Sequence, residues 1–144
     1  MNLEEFKVYV RHSFHFLIVE YGFIEVPAPK RKFINKFMVC YSTDVTWIGI
    51  EGIHHGFDID VRLASTDLSL MKYPSYCLDD LLLIRDPQFK KVTAQNIDTR
   101  DIQKRQIDQY AEVLKILADD VLRGDFESFP LLAKAIDDRK SHKK

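Results

Sequence analysis

The sequence predicts an α+β domain: an N-terminal helix, then an antiparallel meander of three or four strands, then three C-terminal helices. Two periodicities support this prediction. Through Ile59, Val61 and Leu63 apolar residues take every second position, which is typical of a strand with one buried face. Near both ends of the chain they recur at intervals of three and four, which is typical of amphipathic helices. With 144 residues, the chain can bury its core as one domain spanning residues 1–144.

The first helix is predicted from Leu3 to Tyr21. Asn2 is suited to cap its start, and Gly22 can adopt the left-handed conformation that ends it. Its apolar stripe consists of Phe6, Val10, Phe14, Leu17, Ile18 and Tyr21. The Pro-Ala-Pro stretch at 27–29 then excludes both a helix and a central strand, so we expect a turn or a sheet edge there.

Three strands are predicted at residues 37–42, 45–52 and 57–64. The Thr43-Asp44 pair leaves room for a tight first hairpin, and Gly56 can supply a positive φ in the second. Parity along the strands then assigns the two faces of the sheet. The core face should carry Phe37, Val39, Ile48, Ile50, Ile59 and Val61. The opposite face, called the outer face below, should carry Met38, Cys40, Trp47, Asp58, Asp60 and Arg62.

Three helices are predicted after the sheet. The first runs from Tyr76 to Ile84, and a polar surface loop from Asp86 to Asp98 follows it. The second is a long helix that ends near Gly124, and the third begins after Ser128, with Pro130 in its first turn. The inner stripe of the long helix consists of Ile107, Tyr110, Ala111, Leu114, Leu117, Ala118 and Val121.

Composition and charge argue against nucleic-acid and membrane partners. The formal net charge of −1 gives no electrostatic reason to bind a polyanion. No apolar run approaches the roughly 20 residues that a membrane span needs, and the acidic start of the chain does not resemble a signal peptide. Cys40 and Cys77 form no CxxC pair, which favours reduced thiols. These features together predict a cytoplasmic protein.

The sequence contains no motif that predicts catalysis or cofactor binding. It has no GxSxG, no HExxH, no phosphate-binding glycine loop and no dinucleotide fingerprint. The dipole at a helix start could favour a thiolate at Cys77, but no orienting base is evident, which favours a packing role. A cluster of metal-type side chains, which zinc or iron would accept, consists of His54, His55, Asp58 and Asp60. We expect no catalytic residue, no metal and no cofactor, and we keep a small metal-dependent hydrolase centred on that cluster as an alternative.

The predicted outer face is the better candidate for a binding site. Trp47 is the sole tryptophan, and Arg62 on the neighbouring strand could reach its ring in a cation–π contact. Aromatic and arginine anchors inside a charged rim are typical of protein-binding hot spots. The candidate protein-binding residues are Met38, Trp47, Asp58, Asp60 and Arg62. The alternative is that a helix of the same chain covers this face and makes Trp47 a core residue.

Two parts of the chain also carry a resemblance. Residues 56–64 read GFDIDVRLA, and the stretches 110–114 and 122–126 read YAEVL and LRGDF. Together they resemble small bacterial proteins of the kind encoded beside polymorphic toxins as immunity proteins. The resemblance implies a stoichiometric inhibitor that masks the active site of a toxin. The predicted function is therefore a non-enzymatic protein-binding module. The remaining alternative is a homodimer formed through the Trp47 face or through Val113 and Ile116.

Overall fold

Along the chain, an N-terminal helical segment is followed by a five-stranded antiparallel sheet and then by a C-terminal group of helices. The computed structural model describes residues 1–30, 35–53, 58–93 and 99–142. In these residues the elements are α1 (Leu3–Ser13), α2 (Phe16–Tyr21), β1 (Ile24–Val26), β2 (Met38–Ser42), β3 (Thr46–Ile53), β4 (Asp58–Ser65), a 3₁₀ helix (Leu68–Leu70), β5 (Tyr76–Cys77), α3 (Leu78–Arg85), α4 (Thr99–Leu117), α5 (Asp119–Leu122) and α6 (Phe129–Ser141). The predicted α+β class and the order of its parts are confirmed.

The strands follow one another across the sheet in the order β1-β2-β3-β4-β5. Ile50 lies opposite both Val39 and Val61, so the predicted parity of the three central strands is confirmed. The two additional strands are the edges. They have three and two residues, which is too short for a period-two pattern to reveal them. β1 ends directly before the Pro-Ala-Pro stretch, where the sequence predicts a turn or a sheet edge.

The core lies between the inner face of the sheet and helices α1, α3 and α4. The apolar inner positions of β2, β3 and β4 are buried: Val39, Tyr41, Ile48, Ile50, Ile59, Val61 and Leu63. The predicted stripe of the long helix meets them, with Leu114 fully buried. The end of this stripe lies on α5, which begins after a break at Ala118. Gly124 follows with a φ of 91°, a conformation that favours glycine.

The predicted continuous helix from Leu3 to Tyr21 is wrong, because the chain breaks between α1 and α2. The amide of Leu17 bonds to the carbonyl of Phe14, and that of Ile18 to His15, both at 3.0 Å. These three-residue spacings tighten the chain into a 3₁₀-like turn. The turn keeps Phe14 and Leu17 fully buried, whereas Ile18 leaves the apolar stripe and is 40% exposed.

The segment after β4 also departs from the sequence prediction. Tyr76 and Cys77 pair with Leu63 and Arg62 as β5, so helix α3 begins two residues later than predicted. In the predicted 86–98 loop, the described part (86–93) is tied to α4. The side chain of Gln106 donates to the carbonyl of Val92 at 2.8 Å. Residues 94–98 lie outside the described residues.

Arg85 of α3 and Asp120 of α5 tie these two helices together. The guanidinium donates to both carboxylate oxygens at 2.6 Å, and this bonding lowers the pKa of Asp120 below its ordinary value of 3.8. A carboxyl whose pKa is depressed by folding stabilises the folded state above its unfolded pKa and loses that contribution as the pH falls. We expect Asp120→Asn to lower the melting temperature at neutral pH, by an amount that shrinks as the pH falls below 3.8. Thermal unfolding of both proteins across a pH series measures this difference, and a difference independent of pH would contradict the assignment.

Candidate functional site

The structure places the predicted binding residues on the outer face. Met38, Trp47, Asp60 and Arg62 occupy outer positions of β2, β3 and β4. Asp58 stands at the start of β4, where the Nζ of Lys91 approaches its carboxylate to 2.5 Å. Asp58 has the same parity as Asp60 and Arg62, but this ion pair engages its carboxylate with the loop at 86–93.

Trp47 is half-buried on the outer face, beside an open hollow of about 560 Å³. Among the described residues, the lining of this hollow comes from strands and loops: Pro29, Trp47, Ala64, Ser65, Thr66, Pro74 and Ser75. None of these residues belongs to a helix. On this side Trp47 is bordered by strands and loops, whereas Met38 and Cys40 on the same face are buried. Part of its ring remains accessible next to a mainly apolar depression.

A second, charged groove adjoins this hollow and shares Pro74 and Ser75 with it. Its volume is about 570 Å³, and the described residues that line it are Glu51, Asp60, Arg62, Tyr73, Pro74, Ser75, Cys77, Asp80, Ile136 and Arg139. Arg139 of α6 pairs with Asp80 through two hydrogen bonds of 2.7 and 2.9 Å. The outer face is thus bordered, at its β5 edge, by the second half of α6.

Arg62 is held in place on the floor of this groove. Its Nε donates to Ser75 Oγ at 2.9 Å, its Nη2 donates to the Ser75 carbonyl at 3.0 Å, and its Nη1 lies 3.5 Å from Asp60 Oδ2. The guanidinium therefore points to Ser75, and the predicted cation–π contact with Trp47 is not formed between these two described side chains. Charge-assisted hydrogen bonds are stronger than an exposed cation–π contact, which explains the preference.

Cys77 serves as a hydrogen-bond donor at the bottom of the groove. Its thiol donates to Asp60 Oδ1 at 2.9 Å. Burial raises the pKa of the Cys77 thiol, and the charge of Asp60 raises it further. The thiol is therefore protonated at neutral pH, and the structure supports the packing role over a reactive thiolate.

The described residues give little support to a metal site. No group of three or more His, Cys, Asp or Glu side chains there is arranged to hold a metal ion. His54 and His55 lie outside the described residues, whereas Asp58 and Asp60 are engaged by Lys91, Arg62 and Cys77. Across the same described ranges, no helix combines the length and the hydrophobicity that crossing a bilayer requires.

Sequence reasoning missed the walls of the two depressions. Ser75, Tyr73 and Arg139 reach the outer face from a loop and from α6, far from the strands in sequence. The residues from Tyr73 to Cys77 carry no periodic pattern that predicts their position beside β4. Arg139 lies in the basic segment near the end of the chain, and such a segment gives no sequence signal of a contact with the sheet.

Comparison with known proteins yields one partial similarity. No family model matches the chain, and no solved structure matches it. Over 107 residues it is 31% identical to the L-cysteine:1D-myo-inositol 2-amino-2-deoxy-alpha-D-glucopyranoside ligase of Cellulomonas flavigena, a match that covers 71% of this chain and 25% of the ligase. The chain thus spans about a quarter of the length of this relative. The ligase activity is stated of that protein, of which this chain matches only a part.

Proposed function

We propose that the protein is a non-enzymatic binding module of the immunity type, which masks a protein partner with its outer sheet face. The observation that carries the proposal is the half-buried Trp47 beside an apolar hollow, next to a charged groove, on the sheet face opposite α1, α3 and α4. An aromatic anchor next to charged groups of both signs is an arrangement found at protein-binding hot spots.

The apolar hollow supplies the attractive part of the interaction. A partner side chain that enters it would remove the apolar surface of Trp47, Ala64, Pro29 and Pro74 from water. Each Å² of apolar surface buried in this way contributes about 25 cal/mol. Tryptophan has a large ring with few rotatable bonds, so a contact on it costs little conformational entropy.

The charged groove supplies orientation and specificity. Arg62, Asp80 and Arg139 are already held by hydrogen bonds in the free protein. A partner therefore meets groups whose side-chain entropy is largely lost before binding, which lowers the cost of association. Charges of both signs within one groove favour a partner with a matching pattern and disfavour others.

The resemblance of residues 56–64, 110–114 and 122–126 to immunity proteins supports a toxin as the partner. Most of the first stretch is β4, which contributes Asp60 and Arg62 to the outer face. An inhibitor that works by occupancy needs a complementary surface and no cofactor, and the outer face offers such a surface. With a cytoplasmic location, the protein would meet its partner before any export.

Self-association is the competing proposal. Ile116, on the solvent side of α4, is 64% exposed and belongs to the second apolar surface that the sequence suggested. Val113, its predicted companion, is instead partly buried against the core. This surface is therefore smaller than predicted, and the outer face remains the stronger candidate.

Co-expression with the product of the neighbouring gene tests the proposed function. We expect this protein to restore the growth of cells that express the neighbouring product, and to co-purify with it as a complex of one copy each. A catalytically inactive form of the neighbouring product serves as the control for toxicity. Absence of both protection and complex formation would contradict the immunity-type function.

A further inference from the structure

Gly49 lies in the middle of β3, beneath the ring of Trp47. A Cβ built on Gly49 would lie 2.5 Å from Trp47 Cη2 and 3.1 Å from Cζ2, and 3.0 Å from the terminal methyl of Met38. The indole therefore extends along the strand from position 47 over position 49. It meets Met38 above the row that Cys40, Gly49 and Arg62 form across the sheet.

Backbone conformation does not explain a glycine at this position. Among the described residues, glycines with a positive φ are Gly22 and Gly124, whereas Gly49 has the extended backbone of a strand that any residue can adopt. Glycine is a poor strand former, and within a strand it often marks a site that another group approaches closely. At Gly49 the approaching group is the indole of Trp47.

We propose that Gly49 is a positioning residue for Trp47: the missing Cβ lets the far edge of the indole approach the backbone of β3, and this fixes the shape of the outer face. With a side chain at position 49, the ring must shift, because non-bonded contacts of a Cβ essentially never fall below 3.0 Å. A displaced ring would move toward the solvent or into the hollow beside Pro29 and Pro74. The functional meaning of this positioning rests on the proposed binding function, whereas the placement of the ring does not.

The fluorescence of Trp47 tests the placement directly, because this is the sole tryptophan of the chain. In Gly49→Ala, we expect a shift of the emission maximum to longer wavelength and stronger quenching by acrylamide, with an unchanged far-UV circular dichroism spectrum. Val8→Ala, an exposed position on helix α1 at the other side of the sheet, is the control and should leave the emission unchanged. An emission maximum and a quenching constant equal to those of the wild type would overturn the proposal.

A double variant keeps the test decisive if Gly49→Ala lowers stability. Phenylalanine lacks the Cη2 and Cζ2 atoms that a Cβ at position 49 would meet. We therefore expect Gly49→Ala to lower the melting temperature in the wild type and to leave it unchanged or raise it in a Trp47→Phe background, since alanine restricts the unfolded chain more than glycine does. Equal losses in both backgrounds would overturn the proposal, because the cost would then not come from the indole.

The affinity for the neighbouring gene product separates this proposal from the proposed function. If Gly49→Ala moves the ring and weakens the complex, both are supported. If it moves the ring and the complex is unaffected, the positioning of Trp47 stands and the binding role of the outer face fails.

Discussion

Replacing Leu114 by alanine is expected to lower the free energy of unfolding by about 2–5 kcal/mol. Leu114 is fully buried on α4, where it packs against the inner face of the sheet. Truncation removes apolar contacts and leaves a cavity that neighbouring side chains fill only in part. Urea denaturation followed by circular dichroism measures the loss.

Ile116, two residues further along the same helix, provides the matched control. Its side chain is of the same size but 64% exposed. We expect Ile116→Ala to change stability by no more than about 0.5 kcal/mol, as surface substitutions usually do. Equal midpoints for wild type and Leu114→Ala, or equal losses for the two variants, would show that the core stripe of α4 is misassigned.

The central strands could be predicted because their residues obey one simple periodicity. The alternation at Ile59, Val61 and Leu63 fixed the parity of β4, and antiparallel pairing transmitted it to Ile48 and Ile50. The edge strands have too few residues for any period. The break between α1 and α2 depends on tertiary packing, since Phe14 and Leu17 are both drawn into the core. Neither residue is a glycine or proline that would signal a break.

The strand residues of the candidate site could be predicted from the sequence, but the loop and helix residues that border it could not. Parity places Trp47 and Arg62 on the outer face from local sequence alone. Arg62 bonds to Ser75, which is 13 residues away in the sequence, in place of the expected cation–π contact with Trp47. Arg139 pairs with Asp80, which is 59 residues away in the sequence. A local sequence pattern does not predict a contact between residues so far apart. The glycine beneath Trp47 carried a signal, since a glycine within a strand often indicates close approach of another group.

Replacing Trp47 by alanine is expected to weaken the complex with the partner by about 2 kcal/mol or more, which is roughly a 30-fold rise in Kd. The ring is the anchor of the outer face, and its truncation removes the surface that a partner would bury. Because Trp47 is only half-buried, the variant should remain folded and lose less stability than Leu114→Ala.

The measurement that tests the central claim most directly is the calorimetric affinity of wild type, Trp47→Ala and Val8→Ala for the product of the neighbouring gene. Val8 is a matched control, because it is an apolar side chain, 62% exposed, on helix α1 and so on the other side of the sheet. If the outer face binds the partner, the Kd should rise roughly 30-fold for Trp47→Ala and stay unchanged for Val8→Ala. A folded Trp47→Ala variant that binds as tightly as the wild type would contradict it.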